Sequence, residues 1–166
     1  MDSKELAELV PWLVAEKMED ATSPVPLVGG AAHEGNPVWT FRTDPVLALA
    51  AVFPASNELR LTIGLAIDLP GTAELSSYIN LLNTKQLVFG RAYIVPGNSA
   101  DRVAVLMQEI VFGDGLSWDY PPSIQNLLRI MGTLCGQAGR LAGEVADRFE
   151  GRPLTDAEAV VLLAYS

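Results

Sequence analysis

The spacing of apolar residues changes period several times along the chain, and each change marks an element. Leu6, Leu9, Val10, Leu13, Val14 and Met18 share one stripe at helical spacing. Asp2 and Glu5 ahead of them form an N-cap and capping-box pair. Pro11 falls inside the stripe and removes an amide donor, so a kink or a late restart is expected there. Residues 21–37, rich in Pro, Gly and Ala, predict a loop or ragged edge. Three strand signals follow. V-W-T-F-R-T at 38–43 sets Trp39 and Phe41 against Thr40 and Arg42, and V-L-A-L-A-A-V-F at 46–53 is apolar on both faces. The third alternates Leu59, Leu61, Ile63, Leu65 and Ile67 with Arg60, Thr62, Gly64, Ala66 and Asp68. The turns between them, T-D-P and P-A-S-N, are too short for parallel crossovers and predict antiparallel hairpins.

Pro70 and Gly71 end the third strand, and Thr72, Leu75, Tyr78, Ile79 and Leu82 predict a second helix. S-Y-I-N-L-L-N-T-K-Q-L-V-F-G-R-A-Y-I-V, residues 77–95, then passes from helical to strand period with no Gly or Pro loop between. A fourth strand is predicted over 87–95, with Asn80 and Asn83 closing the helix before it. P-G-N-S-A-D turns the chain into a fifth strand, R-V-A-V-L-M-Q-E-I-V-F. One face of these two strands must cover helices. The other is too apolar for an ordinary wet face, so either a partner chain or the chain's own helices must meet it.

A long helix is predicted after Pro121 and Pro122, either of which suits its first position. Its broad apolar face runs from Ile124 through Leu127, Met131, Leu134, Cys135 and Leu141 to Phe149. Beside that face lies a stripe of Gly132, Gly136, Gly139 and Gly143. Glycine inside a helix costs up to about 1 kcal/mol relative to alanine, so the stripe predicts close approach of another backbone, from this chain or a second subunit. T-D-A-E at 155–158 is a further capping box, ahead of a short apolar C-terminal helix. The expected fold is α+β: an antiparallel sheet of about five strands with helices packed on it. Its order is helix, three strands, helix, two strands, long helix, with one domain over 1–150 and residues 151–166 as its helical extension.

Composition narrows the function. The 166 residues carry 20 acidic against 11 basic side chains, a net charge of −9 that would repel a phosphate backbone. No apolar run approaches the roughly 20 residues of a bilayer span, and the acidic start lacks the basic region of a signal peptide. A single cysteine, Cys135, forms no internal disulfide, so a cytoplasmic setting is expected. Abundant Ala and Gly with few Lys suit a GC-rich bacterial source.

The candidates for catalysis are few. His33, the only histidine, sits in the loop sequence G-G-A-A-H-E-G-N and reads as incidental. Cys135, on an apolar helix face, reads as a buried, inert thiol. Neither G-D-G at 113–115 nor P-G-N at 96–98 follows a strand and opens a helix as a phosphate-binding loop must. Glu109, Asp114 and Asp119 read as solvated carboxylates. No metal or cofactor is expected. Phe89, Tyr93, Met107, Trp118 and Tyr120 are instead candidate partner-binding residues, because aromatic and methionine side chains are enriched at interfaces.

I-N-L-L-N at 79–83, F-G-R-A-Y-I-V at 89–95, the fifth strand, G-D-G-L-S and the long helix together resemble the type III secretion chaperone-like fold, in particular its YbjN-like relatives. The resemblance covers residues 2–150. The glycine-striped helix and the capped C-terminal helix depart from it. It implies a small, acidic, usually dimeric, non-catalytic protein that binds a segment of another polypeptide, and the glycine stripe with the unmatched apolar surface predicts a homodimer. A regulatory module holding a small ligand between sheet and helix is the alternative, and a hydrolase or transferase would require a cluster of acids with strongly shifted pKa values.

Overall fold

A computed structural model describes residues 1–27 and 35–163. Along the chain come α1 (Ser3–Lys17), β1 (Val25–Pro26), β2 (Val38–Thr43), β3 (Val46–Phe53), β4 (Glu58–Pro70) and α2 (Ala73–Leu81). A π-helical turn (Leu82–Gln86), β5 (Arg91–Pro96), β6 (Arg102–Phe112), α3 (Pro121–Arg148) and α4 (Asp156–Leu163) complete the fold. The strands make one antiparallel sheet in the order β1-β2-β3-β4-β6-β5. The α+β class and element order are therefore as expected. The sixth strand, β1, is two residues pairing with β2 inside the stretch expected to be loop.

Alternation along the strands sorts side chains onto two faces. Phe41, Ala48, Ala50, Leu61, Ile63, Ala92, Val105 and Met107 meet Leu6, Leu9 and Leu13 of α1, Leu75 and Ile79 of α2, and Leu127, Met131, Leu134, Leu141 and Val145 of α3. Each fully buried Val, Leu, Ile, Phe or Met side chain here stabilises by about 1.5–3 kcal/mol. The opposite face carries Val38, Leu49, Ala51 and Leu106 against Ala159 and Leu163 of α4. Leu47, Phe53, Tyr93 and Val95 are half-buried around that second cluster. The chain's own last helix thus covers part of the face left open by the sequence.

Local signals account for most helix ends. Asp2 and Glu5 form the reciprocal capping box of α1, Thr72 caps α2, and Pro121 and Pro122 begin α3. At Pro11 the helix does not restart: α1 continues from Ser3 to Lys17. Its apolar stripe, packed on the sheet, holds the turn despite the missing amide.

The joint between α2 and β5 also differs from expectation. The chain passes through the π-helical turn and a bend, so β5 begins at Arg91 and Phe89 precedes it. Two buried or half-buried amides hold the bend. The Val88 amide donates to Gln137 Oε1 at 2.7 Å, and Gln137 Nε2 donates to the Phe89 carbonyl at 2.9 Å. Asn83 does not cap its own helix. Its Oδ1 accepts from the Ala92 amide at 2.7 Å and its Nδ2 donates to the Ala92 carbonyl at 2.8 Å. One side chain thereby takes the place of a neighbouring strand on the β5 edge. Between these clamps Gly90 stands at φ +79° and donates to the Glu109 carboxylate. A Cβ there would lie 2.6 Å from Leu134 Cδ1, so both conformation and space require glycine. Asn80 contributes its carbonyl, which accepts from the Thr84 hydroxyl at 2.8 Å.

Candidate functional site

The face of α3 beside its apolar stripe is open. Gly132, Gly136 and Gly143 are exposed, and a Cβ built on any of them would meet no heavy atom within 4 Å. Only at Gly139 does another part of the chain come near: a Cβ there would lie 3.3 Å from Pro45 Cδ, in the β2–β3 turn. The close approach implied by the stripe is therefore realised within the chain at one of its four positions.

Gly132, Gly136 and Gly139 form the floor of a groove of about 800 Å³, walled by Met18, Pro45 and Leu128. Towards the start of α3 it adjoins a hollow of about 360 Å³ between Trp12, Trp118, Ile124 and Leu128. The two indoles meet edge to face, centroids 6.5 Å apart, and remain 44 % and 48 % exposed. Lys17 Nζ lies 5.5 Å above the Trp12 ring, Arg140 faces Glu144 at 3.8 Å, and Glu19, Asp20 and Asp44 are the acids that line the groove. A backbone can reach the glycine floor more closely than any other part of α3, and two large amphipathic rings stand at its end.

The other candidate residues lie elsewhere. Tyr120, 63 % exposed, borders a separate furrow of about 570 Å³ with Ile110 and Phe112, between β6 and α3. Phe89 is half-buried in the bend before β5, with the Arg129 guanidinium 5.3 Å from its ring. Tyr93 is half-buried at the margin of the α4-covered face. Met107 is fully buried among the helices and offers a partner no surface, a correction to its reading as an interface residue. Its place on β6 alternates with Leu106, and the odd-numbered residues there face inward. Trp12 was missed. It is a large apolar residue on the polar side of an amphipathic helix, and that mismatch was visible in the pattern.

Chemically the surface is quiet. Cys135 is buried, and burial pushes its thiol pKa up, away from the reactive thiolate. His33 lies outside the described residues. Among the described residues no group of three or more His, Cys, Asp or Glu is placed to hold a metal ion, and no helix is long and apolar enough to cross a membrane. The carboxyl of Glu158 is held far below the usual carboxylate range, chiefly by hydrogen bonds from Arg152 and the Thr155 amide. This pair fastens α4 and does not line the groove.

No protein-family model matches the chain, and no curated protein matches it. A solved chain in the crystal structure of the ExsC–ExsE complex is similar to it, with a TM-score of 0.52 over 86 % of this chain and 97 % of that one, at 12 % identity. At such identity the likeness is one of fold, and it agrees with the chaperone-like α+β arrangement expected from the sequence.

Proposed function

We propose that this protein is a non-catalytic, cytoplasmic chaperone-like or adaptor module that holds a segment of a partner polypeptide in the groove between α1 and α3. The observation that carries the reading is the open glycine floor beside the exposed Trp12–Trp118 pair. Two glycines of that floor, Gly132 and Gly136, meet nothing in their own chain, and an aromatic pair at the end of the floor supplies the kind of anchor that dominates protein interfaces. The fold likeness to a chain solved as part of a two-protein complex supports the same reading. Binding by strand addition at β5 is the less favoured mode. Asn83 occupies the edge groups of Ala92, and Pro96 has no amide, so β5 offers little free edge.

The test is affinity capture with the wild type and two variants, Gly136→Leu and Trp118→Asp. Both positions are exposed, so both variants keep the fold. A polypeptide retained by the wild type and lost by both supports the groove; retention by both refutes it. The glycine face also suits a second copy of the chain, and a homodimer is proposed on that ground. A light-scattering mass of one chain over a wide concentration range would exclude it.

A further inference from the structure

The sheet face under α4 lies apart from the α1–α3 groove. α4 has two fully or nearly fully buried apolar residues, Ala159 and Leu163, while Val161 on its outer side is 58 % exposed. Leu154, just before it, fits over Gly64, where a Cβ would stand only 2.9 Å from Leu154 Cδ2. Beneath lie Val38, Leu49, Ala51 and Leu106. The first turn of α4 is held by charge. Asp156 pairs with Arg42 of β2, and Glu158 takes a two-pronged bond from Arg152, both prongs at 2.7 Å, and a third from Asn98 Nδ2 at 3.0 Å. Arg152 itself stays with the sheet through its backbone bridge to Ile67 and its 2.8 Å bond to Asp68.

These attachments differ in kind from those of α1 and α3. Eight residues, few buried side chains and exposed ion pairs place α4 at the low end of local stability. If α4 lifts after Pro153, the sheet keeps Arg42 beside Asp44 and Arg152 beside Asp68, each released from its α4 acid, at one end of an apolar trough with a notch at Gly64. That combination selects its occupant by shape and by sign of charge. We infer that this face is a docking surface for an apolar helix with an acidic first turn, and that α4 is the chain's own displaceable occupant of it.

The test uses the full chain and, as probe, a fluorescein-labelled peptide of residues 153–163. Hydrogen exchange of the α4 amides is followed alongside peptide anisotropy. In the wild type the peptide competes with the tethered α4 and binds weakly. In Asp156→Asn/Glu158→Gln the α4 amides exchange faster, those of α1 and α3 stay protected, and the peptide binds at least about tenfold more tightly. Adding Arg42→Gln to that variant removes most of the gain, and raising the salt weakens the peptide in both backgrounds. Peptide affinity unchanged when α4 has loosened would overturn the docking surface. Alpha-4 amides as protected in the double variant as in the wild type would overturn its displaceability. Neither result bears on the glycine groove, whose variants are separate.

Discussion

Replacing Gly132, Gly136 and Gly143 together by alanine should make the isolated chain more stable. All three lie inside the 28-residue α3, and an added methyl meets no atom within 4 Å at any of them. The gain is then the helix-propensity difference alone, about 0.5–1 kcal/mol per site, or roughly 1.5–3 kcal/mol for three. In a domain of this size that raises Tm by roughly 3–12 °C. Gly139→Ala is the internal control, because its methyl would press on Pro45 Cδ at 3.3 Å and lose part of the same gain. Urea unfolding followed by circular dichroism reads the difference, with an unchanged m-value showing that the unfolding surface is the same. A triple variant no more stable than the wild type, at a concentration where light scattering finds one chain, would refute the claim that this face is empty. If the wild type self-associates through the stripe, the variant should instead lose the concentration dependence of its stability.

Gln137→Ala strands the Val88 amide and the Phe89 carbonyl and should cost about 2–4 kcal/mol, with faster hydrogen exchange confined first to residues 88–92; a change below about 0.5 kcal/mol would show that water replaces the amide freely. Gly90→Ala combines a left-handed backbone with a 2.6 Å clash and should destabilise by more than about 2 kcal/mol in thermal unfolding, whereas a neutral result would mean that the bend relaxes at no cost. The Glu158 carboxyl, depressed in the folded state, contributes its stability above the ordinary carboxylate range and loses it as pH falls below that range. The stability gap between wild type and Glu158→Gln should therefore be full near neutral pH and shrink on acidification; a gap that widens in acid would contradict the clasp.

Much of the fold is legible in local sequence. Capping residues act through the next three amides, so Asp2, Thr72 and Thr155 announce their helices without reference to anything distant. Period-two alternation likewise groups Leu59, Leu61, Ile63 and Leu65 of β4 on the helix side, but register shifts beyond Gly64 bring Ala66 and Leu69 to that side, which alternation alone does not show. The joint at residues 77–95 was read correctly as a helix passing into a strand but assigned the wrong bonds. Asn83 looks like a cap by position, and only the fold brings Ala92, nine residues on, within its reach. Gln137 gave no signal at all, since its partners lie 49 and 48 residues away.

The candidate groove divides the same way. Sequence alone established the glycine stripe and the placement of Trp118 just before α3, since both follow from helical spacing and a boundary. It could not tell which glycines pack and which stand open, because that depends on where the β2–β3 turn and the end of α1 cross the helix. Nor could it bring Trp12 to Trp118 or pick α4 as the cover of the sheet's second face. Local propensity determined most of the elements and which positions along a strand share a face. The tertiary structure decided which apolar surface is filled by the chain itself and which is left for another, because burial is a property of neighbours that spacing along the chain does not encode.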